Sequence, residues 1–203
     1  MAPSVNIPRA TIGRLPRYLS VLGALPTRTE TVSSGELGAA TGFTDSSIRK
    51  DLSHLNVSGT RGLGYDVTHL QDQIRKTLGL EVERNIALVG AGNLGSALAN
   101  YRGLLDAGFL LTNIFDASSQ AIGTEVGGLT VQPMEELHSM DDVSIAIMAV
   151  PRRVAQSVAD RLTEAGITSI LNFAPKTLKL PDGVISRNVD LSTELQVLAY
   201  FDQ

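Results

Sequence analysis

Apolar residues recur at helical spacing through the first eighty positions, then give way to short apolar runs separated by helical stretches. Ile12, Leu15, Leu19 and Leu22 lie three or four residues apart, which predicts a helix over 11–24 despite Pro16. Ser33 or Ser34 is placed to cap a second helix, GELGAAT, which the glycine at position 42 ends. Thr44 caps a third, DSSIRKDLSHL, with Ile48, Leu52 and Leu55 on one face. Two short helices joined by a glycine-containing turn outline a helix-turn-helix. The segment 66–80 reads as a linker helix, with Leu70, Ile74 and Leu78 at i, i+4 and i+8.

Beyond residue 80 the period changes. Apolar runs at 86–89, 110–115, 143–150, 169–173 and 184–189 predict strands, with helical stretches such as 152–165 between several of them. That alternation specifies a parallel sheet covered by helices. The chain therefore divides into a helical domain over 1–80, an α/β domain over 81–190 and a last helix over 191–203. Leu191, Leu195 and Leu198 form a stripe on that helix suited to packing, including packing against a second subunit.

A length of 203 residues accommodates one or two domains with cores of their own. There is no cysteine, which removes disulfides, thiolate nucleophiles and thiolate-bound metals together, so a redox role would need a bound cofactor. His54, His69 and His138 are too scattered to form a metal cluster. The first 20 residues hold three prolines and no apolar run like a signal sequence, and no stretch reaches the ~18 apolar residues of a membrane span, so a cytoplasmic protein is expected. Charge is uneven. Residues 1–80 hold 9 Lys and Arg against 6 Asp and Glu, a net of +3, whereas residues 81–203 hold 8 against 15, a net of −7. A basic head that meets a polyanion fits this division.

The polar face of the third helix shows Ser46, Ser47, Arg49, Lys50 and Ser53, the short hydroxyls and long cations that read base edges and hold phosphates in a major groove. Gly59-Thr60-Arg61-Gly62-Leu63-Gly64-Tyr65 follows as a tight hairpin, with Arg61 and Gly62 at a tip suited to lie along a DNA backbone as a wing. The competing reading is a solvated helix face and a plain turn.

The run Ile86-Ala87-Leu88-Val89 leads into Gly90-Ala91-Gly92-Asn93-Leu94-Gly95 and a helix from Ser96. Here Gly90 makes the turn, Gly92 lets the backbone approach a pyrophosphate, Gly95 allows close helix–strand packing, and the helix start supplies N–H groups. Asp116 ends the next strand, 21 residues after Gly95, where it accepts hydrogen bonds from adenosine ribose hydroxyls and repels a 2′-phosphate, favouring NAD(H) over NADP(H). Val150 and Pro151 end one strand and Asn172 another, at the carboxyl edge where open α/β sheets bind ligands; each is equally a plain strand exit. Asp190 closes the last strand and is a candidate N-cap of the final helix. No Tyr-x-x-x-Lys occurs and no histidine falls on a strand's carboxyl end, so an enzyme would be poorly equipped for hydride transfer. A small NAD-dependent oxidoreductase, or an accessory subunit of one, remains the alternative class.

Taken together, Arg49-Lys50-Asp51-Leu52-Ser53, Arg61-Gly62-Leu63-Gly64-Tyr65, the glycine motif through Leu98, Phe115-Asp116, Ile170-Leu171-Asn172-Phe173-Ala174-Pro175 and Asn188-Val189-Asp190-Leu191 resemble the Rex family of redox-sensing transcriptional repressors. The resemblance covers nearly the whole chain. It implies an N-terminal winged helix-turn-helix, a Rossmann domain binding NADH and NAD+, and a homodimer with exchanged C-terminal helices. It also implies release of double-stranded operator DNA by NADH, and no catalysis. By matching motifs, Gly90, Gly92, Asn93, Leu94 and Gly95 go to the pyrophosphate and Asp116 to the ribose. Tyr101 goes to the nicotinamide end with Asp190 as its partner in switching, and Arg49, Lys50 and Arg61 go to DNA. The chain departs from the family where His54, Leu55 and Asn56 replace an aromatic pair and a glycine, and where Ser20 replaces an arginine for which Arg17 is a candidate substitute. Asn56 is suited to keep the left-handed helix exit. The exchanged helix is expected to be short.

Overall fold

The computed structural model describes residues 7–202. The chain divides into two compact units, with the division in sequence between Val82 and Glu83. Residues 1–6, the start of the domain expected over 1–80, and Gln203, the end of the helix expected over 191–203, lie outside the described residues.

The first unit contains α1 (Arg9–Gly23), β1 (Thr31–Val32), α2 (Ser34–Thr41), α3 (Asp45–His54), β2 (Tyr65–Asp66) and α4 (Val67–Leu78). Helix α1 runs through Pro16 because Leu15, Tyr18 and Leu22 are buried along one side of it, which outweighs one lost backbone hydrogen bond. Ser33, not Ser34, caps α2 in a reciprocal capping box: its Oγ accepts from the Glu36 N–H at 3.1 Å while Glu36 accepts from the Ser33 N–H at 2.7 Å. Thr44 caps α3 by accepting from the Ser47 N–H. Asn56 takes φ 56° after α3, the Asn56 N–H donates to Ser53 and the Val57 N–H to Leu52, a complete Schellman exit without glycine.

The segment expected to be a linker helix is α4, with Asp66 as its N-cap and Val67 as its first residue. It is not a spacer. Leu70 and Ile74 are fully buried against α1, because an apolar stripe of this strength needs a partner and α1 supplies one. Strands β1 and β2 pair antiparallel, and a bridge between Thr60 and Gly64 closes the hairpin carrying Arg61 and Gly62.

The second unit contains β3 (Arg84–Val89), α5 (Asn93–Ala99), α6 (Gly103–Asp106), β4 (Phe109–Asp116), β5 (Glu125–Val126), β6 (Leu129–Pro133), a 3-10 turn (Met134–Ser139), β7 (Ile145–Met148), α7 (Ala155–Glu164), β8 (Ser169–Asn172), β9 (Ile185–Asn188) and α8 (Leu191–Phe201). The sheet order is β5-β6-β4-β3-β7-β8-β9, parallel throughout except for β5 against β6. Apart from the β5 edge, this is the doubly wound order of dinucleotide-binding folds, with the switch point at the carboxyl end of β3. Along β3, Ala87 and Val89 join the core under α7 while Ile86 and Leu88 join a second core on the opposite face, so both faces of the sheet are buried there. The hairpin β5–β6 was not expected from the sequence, and α7 begins at Ala155 rather than at 152 because Pro151–Val154 form a turn. Helix α8 buries none of its residues, and Leu191, Leu195, Leu198, Tyr200 and Phe201 all stand exposed.

Candidate functional site

At the switch point each glycine of the motif has a distinct geometric reason. Gly90 takes φ 101°, and a side chain there would run into the Ala149 carbonyl just past the end of β7. A Cβ at Gly95 would coincide with the Gly90 carbonyl oxygen, so helix α5 sits on β3 only without a side chain. A Cβ at Gly92 would meet nothing within 4 Å, which leaves its backbone facing open space. Asp116, at the end of β4, accepts from the Ala91 N–H with one oxygen and from the Ser118 N–H with the other, both at 2.7 Å.

A cavity of about 550 Å³ opens beside these groups. Gly90, Gly92, Asp116, Val150 and Pro151 line it, together with Arg153, Arg161 and Ser157 from the loop after β7 and from α7. An adenosine diphosphate moiety fits this donor set: backbone N–H groups and a helix start for phosphates, a carboxylate for ribose hydroxyls, and apolar Val89, Met134, Val154 and Val158 for a base. Sequence reasoning missed Arg153 and Arg161 because both fall inside the helix predicted over 152–165. The signal available was Pro151, whose strand-end position puts the next few residues at the ligand edge.

The remaining expected positions behave differently. Asn93, Leu94 and Gly95 begin α5 behind the loop and do not line the cavity. Asn172 is fully buried, with its amide donating to Lys176 and Asn188 and accepting from the Ala174 N–H, so it fixes the loop after β8. Tyr101 and Asp190, expected as partners, line separate cavities in the chain. Tyr101 stands with Leu105, Leu110 and Gly127. Asp190 stands with Arg152, Lys176 and Thr193. The Asp190 carboxylate caps α8 by accepting from the Ser192 N–H at 2.9 Å, and that backbone hydrogen bond holds its pKa below the ordinary value. This is the N-cap alternative read from the sequence.

In the first unit, Ser46, Arg49, Lys50 and Ser53 are exposed on α3, with Ser47 partly so. The serines are locally bonded: Thr44 Oγ1 contacts both Ser46 and Ser47, and Ser53 donates to the Lys50 carbonyl. Arg49 donates to Ser34 Oγ at 3.1 Å and lies 3.6 Å from Asp45, whereas the Lys50 ammonium has no partner among the described residues. Arg61 and Gly62 are exposed at the hairpin tip.

What holds α3 in place was not read from the sequence. Asp51, on its inner face and 1% exposed, accepts from Arg14 through both Nε and a terminal nitrogen (2.6 and 2.7 Å), from Tyr18 at 2.7 Å and from Thr11 at 2.8 Å. Burial opposes ionisation of this carboxyl, but the hydrogen bonds from Arg14, Tyr18 and Thr11 outweigh it and hold its pKa below the ordinary range. Burial and the Asp51 carboxylate in turn push the Tyr18 phenol up. Arg14 and Arg17 both approach the ring of Phe43, at 5.8 and 5.7 Å from its centre, so Arg17 is held at the α2–α3 turn.

Residues 6–53 match a family described as "Putative DNA-binding protein N-terminus", and residues 81–176 match one described as "CoA binding domain". Over 204 residues the chain is 50% identical to the redox-sensing transcriptional repressor Rex of Streptomyces avermitilis, covering 98% of this chain and 81% of that one. The Rex of Syntrophomonas wolfei is 43% identical over 200 residues, covering 97% and 95%. This chain belongs to the Rex family. Among solved structures, the Rex-family repressor RSP in complex with NAD+ and operator DNA is 39% identical with a TM-score of 0.88, covering 96% of this chain and 92% of that one. RSP in complex with NADH is 38% identical with a TM-score of 0.86, covering 97% and 94%. The winged helix-turn-helix and the Rossmann-like unit are thus the two parts of a Rex fold. Among the described residues of this Rex-family chain, no helix is long and apolar enough to cross a membrane.

Proposed function

We propose that this chain is a cytoplasmic repressor that binds palindromic operator DNA as a homodimer and leaves it when NADH occupies the α/β unit. The observation that carries the reading is the coexistence of two sites in one chain: an exposed cationic α3 face with its hairpin, and a glycine loop fastened to Asp116 beside a cavity shaped for adenosine diphosphate. Relatives solved with NAD+ and operator DNA, and with NADH, support the same pairing of ligands. The exposed apolar stripe on α8, which packs against nothing among the described residues, supports exchange of this helix between two subunits.

The α/β domain is assigned to residues 81–190 and the dimer helix to 191–203, with Ser46, Ser47, Arg49, Lys50, Ser53, Arg61 and Gly62 on DNA. Gly90, Gly92, Asn93, Leu94, Gly95 and Asp116 serve the adenosine diphosphate half of NAD(H). Tyr101 and Asp190 belong to the nicotinamide half, brought together by the dimer rather than within one chain, while Val150 and Pro151 wall the cavity beside Asp116 and Asn172 supports the ligand edge from the buried loop after β8. The role is regulatory and not catalytic. NADH releases DNA only by binding the arrangement without DNA more tightly; equal affinity for both arrangements would shift nothing.

Mobility of a palindromic DNA fragment tests the reading. Retardation abolished by NADH but kept with NAD+, with no NADH consumed alongside candidate substrates, is the expected result; steady NADH oxidation with no retardation would assign the chain to the oxidoreductases.

A further inference from the structure

This inference rests on the dinucleotide reading of the α/β unit and concerns how that site holds two phosphates. The glycine loop from Gly90 to Gly95 contains no cation, and α5, which opens from it, has only 7 residues. Backbone N–H groups and a short helix dipole thus face two negative charges, with the Asp116 carboxylate lining the same cavity. Two arginines reach that cavity. Arg161 is already engaged, donating to the Met134 carbonyl at 2.6 Å and standing 3.6 Å from Glu135. Arg153 has no hydrogen bond or ion pair among the described residues, and it follows Pro151 in the turn that precedes α7. The open space before Gly92 belongs to the same cavity.

We propose that Arg153 is the side-chain cation for the dinucleotide pyrophosphate, completing with its guanidinium the cradle that the glycine loop begins with backbone N–H groups. A guanidinium suits this role because its forked donors match two phosphate oxygens and its charge is permanent. Because the pyrophosphate is common to NADH and NAD+, Arg153 strengthens both equally. It sets the concentration range in which the protein responds, while discrimination between the two forms is made at the nicotinamide end.

Calorimetry on the full chain, with Arg153→Ala and Arg153→Lys against NADH, NAD+, ADP-ribose and adenosine, tests this. The alanine variant is expected to lose about tenfold affinity for NADH, NAD+ and ADP-ribose alike, the size of one charge-assisted hydrogen bond at an exposed position. Adenosine, which has no phosphate, binds unchanged. Lysine recovers part of the loss, and the salt dependence of ADP-ribose binding becomes shallower in the alanine variant. Arg153 is exposed, so the melting temperature stays that of the parent. Unchanged ADP-ribose affinity, an equal loss for adenosine, or a change confined to NADPH would each overturn the assignment. A parent protein that binds neither NADH nor ADP-ribose would instead overturn the dinucleotide reading beneath it.

Discussion

The carboxylate of Asp116 accepts a 2.7 Å hydrogen bond from the N–H of Ala91, so the last residue of β4 fastens the second residue of the glycine loop that ends β3. Its other oxygen accepts from the Ser118 N–H, which fixes the chain leaving β4 in the same way. The carboxylate proposed to accept from the ribose is therefore oriented before any ligand arrives, and each oxygen keeps a lone pair for a hydroxyl.

Two consequences of replacing it are separable. Asp116→Ala is expected to cost NADH roughly 1.5 to 3 kcal/mol of affinity and to narrow the rejection of NADPH, measured by calorimetry. In the ligand-free protein the same change frees the Ala91 and Ser118 amides, so their hydrogen exchange accelerates. Asp116→Asn removes the charge but keeps one acceptor oxygen, and it should admit NADPH with a smaller loss for NADH. Unchanged affinity for both dinucleotides in the alanine variant would move the ribose contact elsewhere.

The Arg14–Asp51 pair makes a different prediction, for stability. Removing Asp51 leaves a partly buried guanidinium and the buried Tyr18 hydroxyl without their acceptor, so Asp51→Ala should cost roughly 3 to 5 kcal/mol, enough to unfold a small unit. In urea, the first unit should lose its transition while the second keeps NADH binding. The Asp51 site contributes to the pH dependence through two shifts of opposite sign. Asp51 is depressed on folding, so its contribution is full above the ordinary 3.8 and is lost as pH falls below it. Tyr18 is raised, so its contribution is full below the ordinary 10.0 and is lost as pH climbs past it. The contribution of this site should be constant between these values and fall on both sides, with the Glu36 capping box adding to the acid limb below its ordinary 4.5; Asp51→Asn makes the acid limb shallower, and an unchanged acid limb in that variant would remove Asp51 from the account.

Two neighbouring cations on α3 should differ in what they do to DNA binding. Lys50 has no partner among the described residues, so Lys50→Ala should weaken binding across all sequences and lower the salt slope by about 1. If Arg49, which contacts Ser34 and Asp45, reads a base, Arg49→Ala should lose about 1 to 3 kcal/mol of discrimination at one base pair. Titration of a base-substituted operator series at several salt concentrations separates the two. A uniform loss for Arg49→Ala would make it a phosphate contact instead.

Local signals account for most of what the sequence revealed. The Ser33 and Thr44 caps, the exit of α3 at Asn56 and the three glycines of the loop each depend on residues only a few positions apart, and patterns of that range are visible in a linear chain. The Arg14–Asp51 link was not visible, because 37 residues separate its partners and nothing local marks either as buried. The β5–β6 hairpin escaped notice because β5 is only two residues long, too short for alternation to register. Arg153 was hidden by a boundary error: starting the helix at 152 turned a cavity-lining turn into a helix surface. Motif matching paired Tyr101 with Asp190, yet within the chain they line separate cavities, a separation that a linear motif does not encode.

The glycine loop allows folding to be separated from sensing. Gly92 has φ −67° and ψ −170°, an extended conformation open to any residue, and a Cβ there meets no atom of the protein within 4 Å. Gly92→Ala should therefore melt like the parent. The added methyl occupies the space through which a pyrophosphate approaches the loop, so NADH affinity falls, and the variant stays on operator DNA at NADH concentrations that release the parent. At Gly95 the same methyl coincides with the Gly90 carbonyl, a backbone atom that moves only if helix α5 lifts from β3. Gly95→Ala should lose roughly 3 kcal/mol or more of α/β unit stability, and its NADH binding would fail through unfolding, seen as a lowered melting temperature. Differential scanning calorimetry, NADH titration and a mobility assay on both variants distinguish the two fates. If Gly92→Ala binds NADH and releases DNA as the parent does, the pyrophosphate does not lie against Gly92, and the cradle must be sought on another part of the cavity wall.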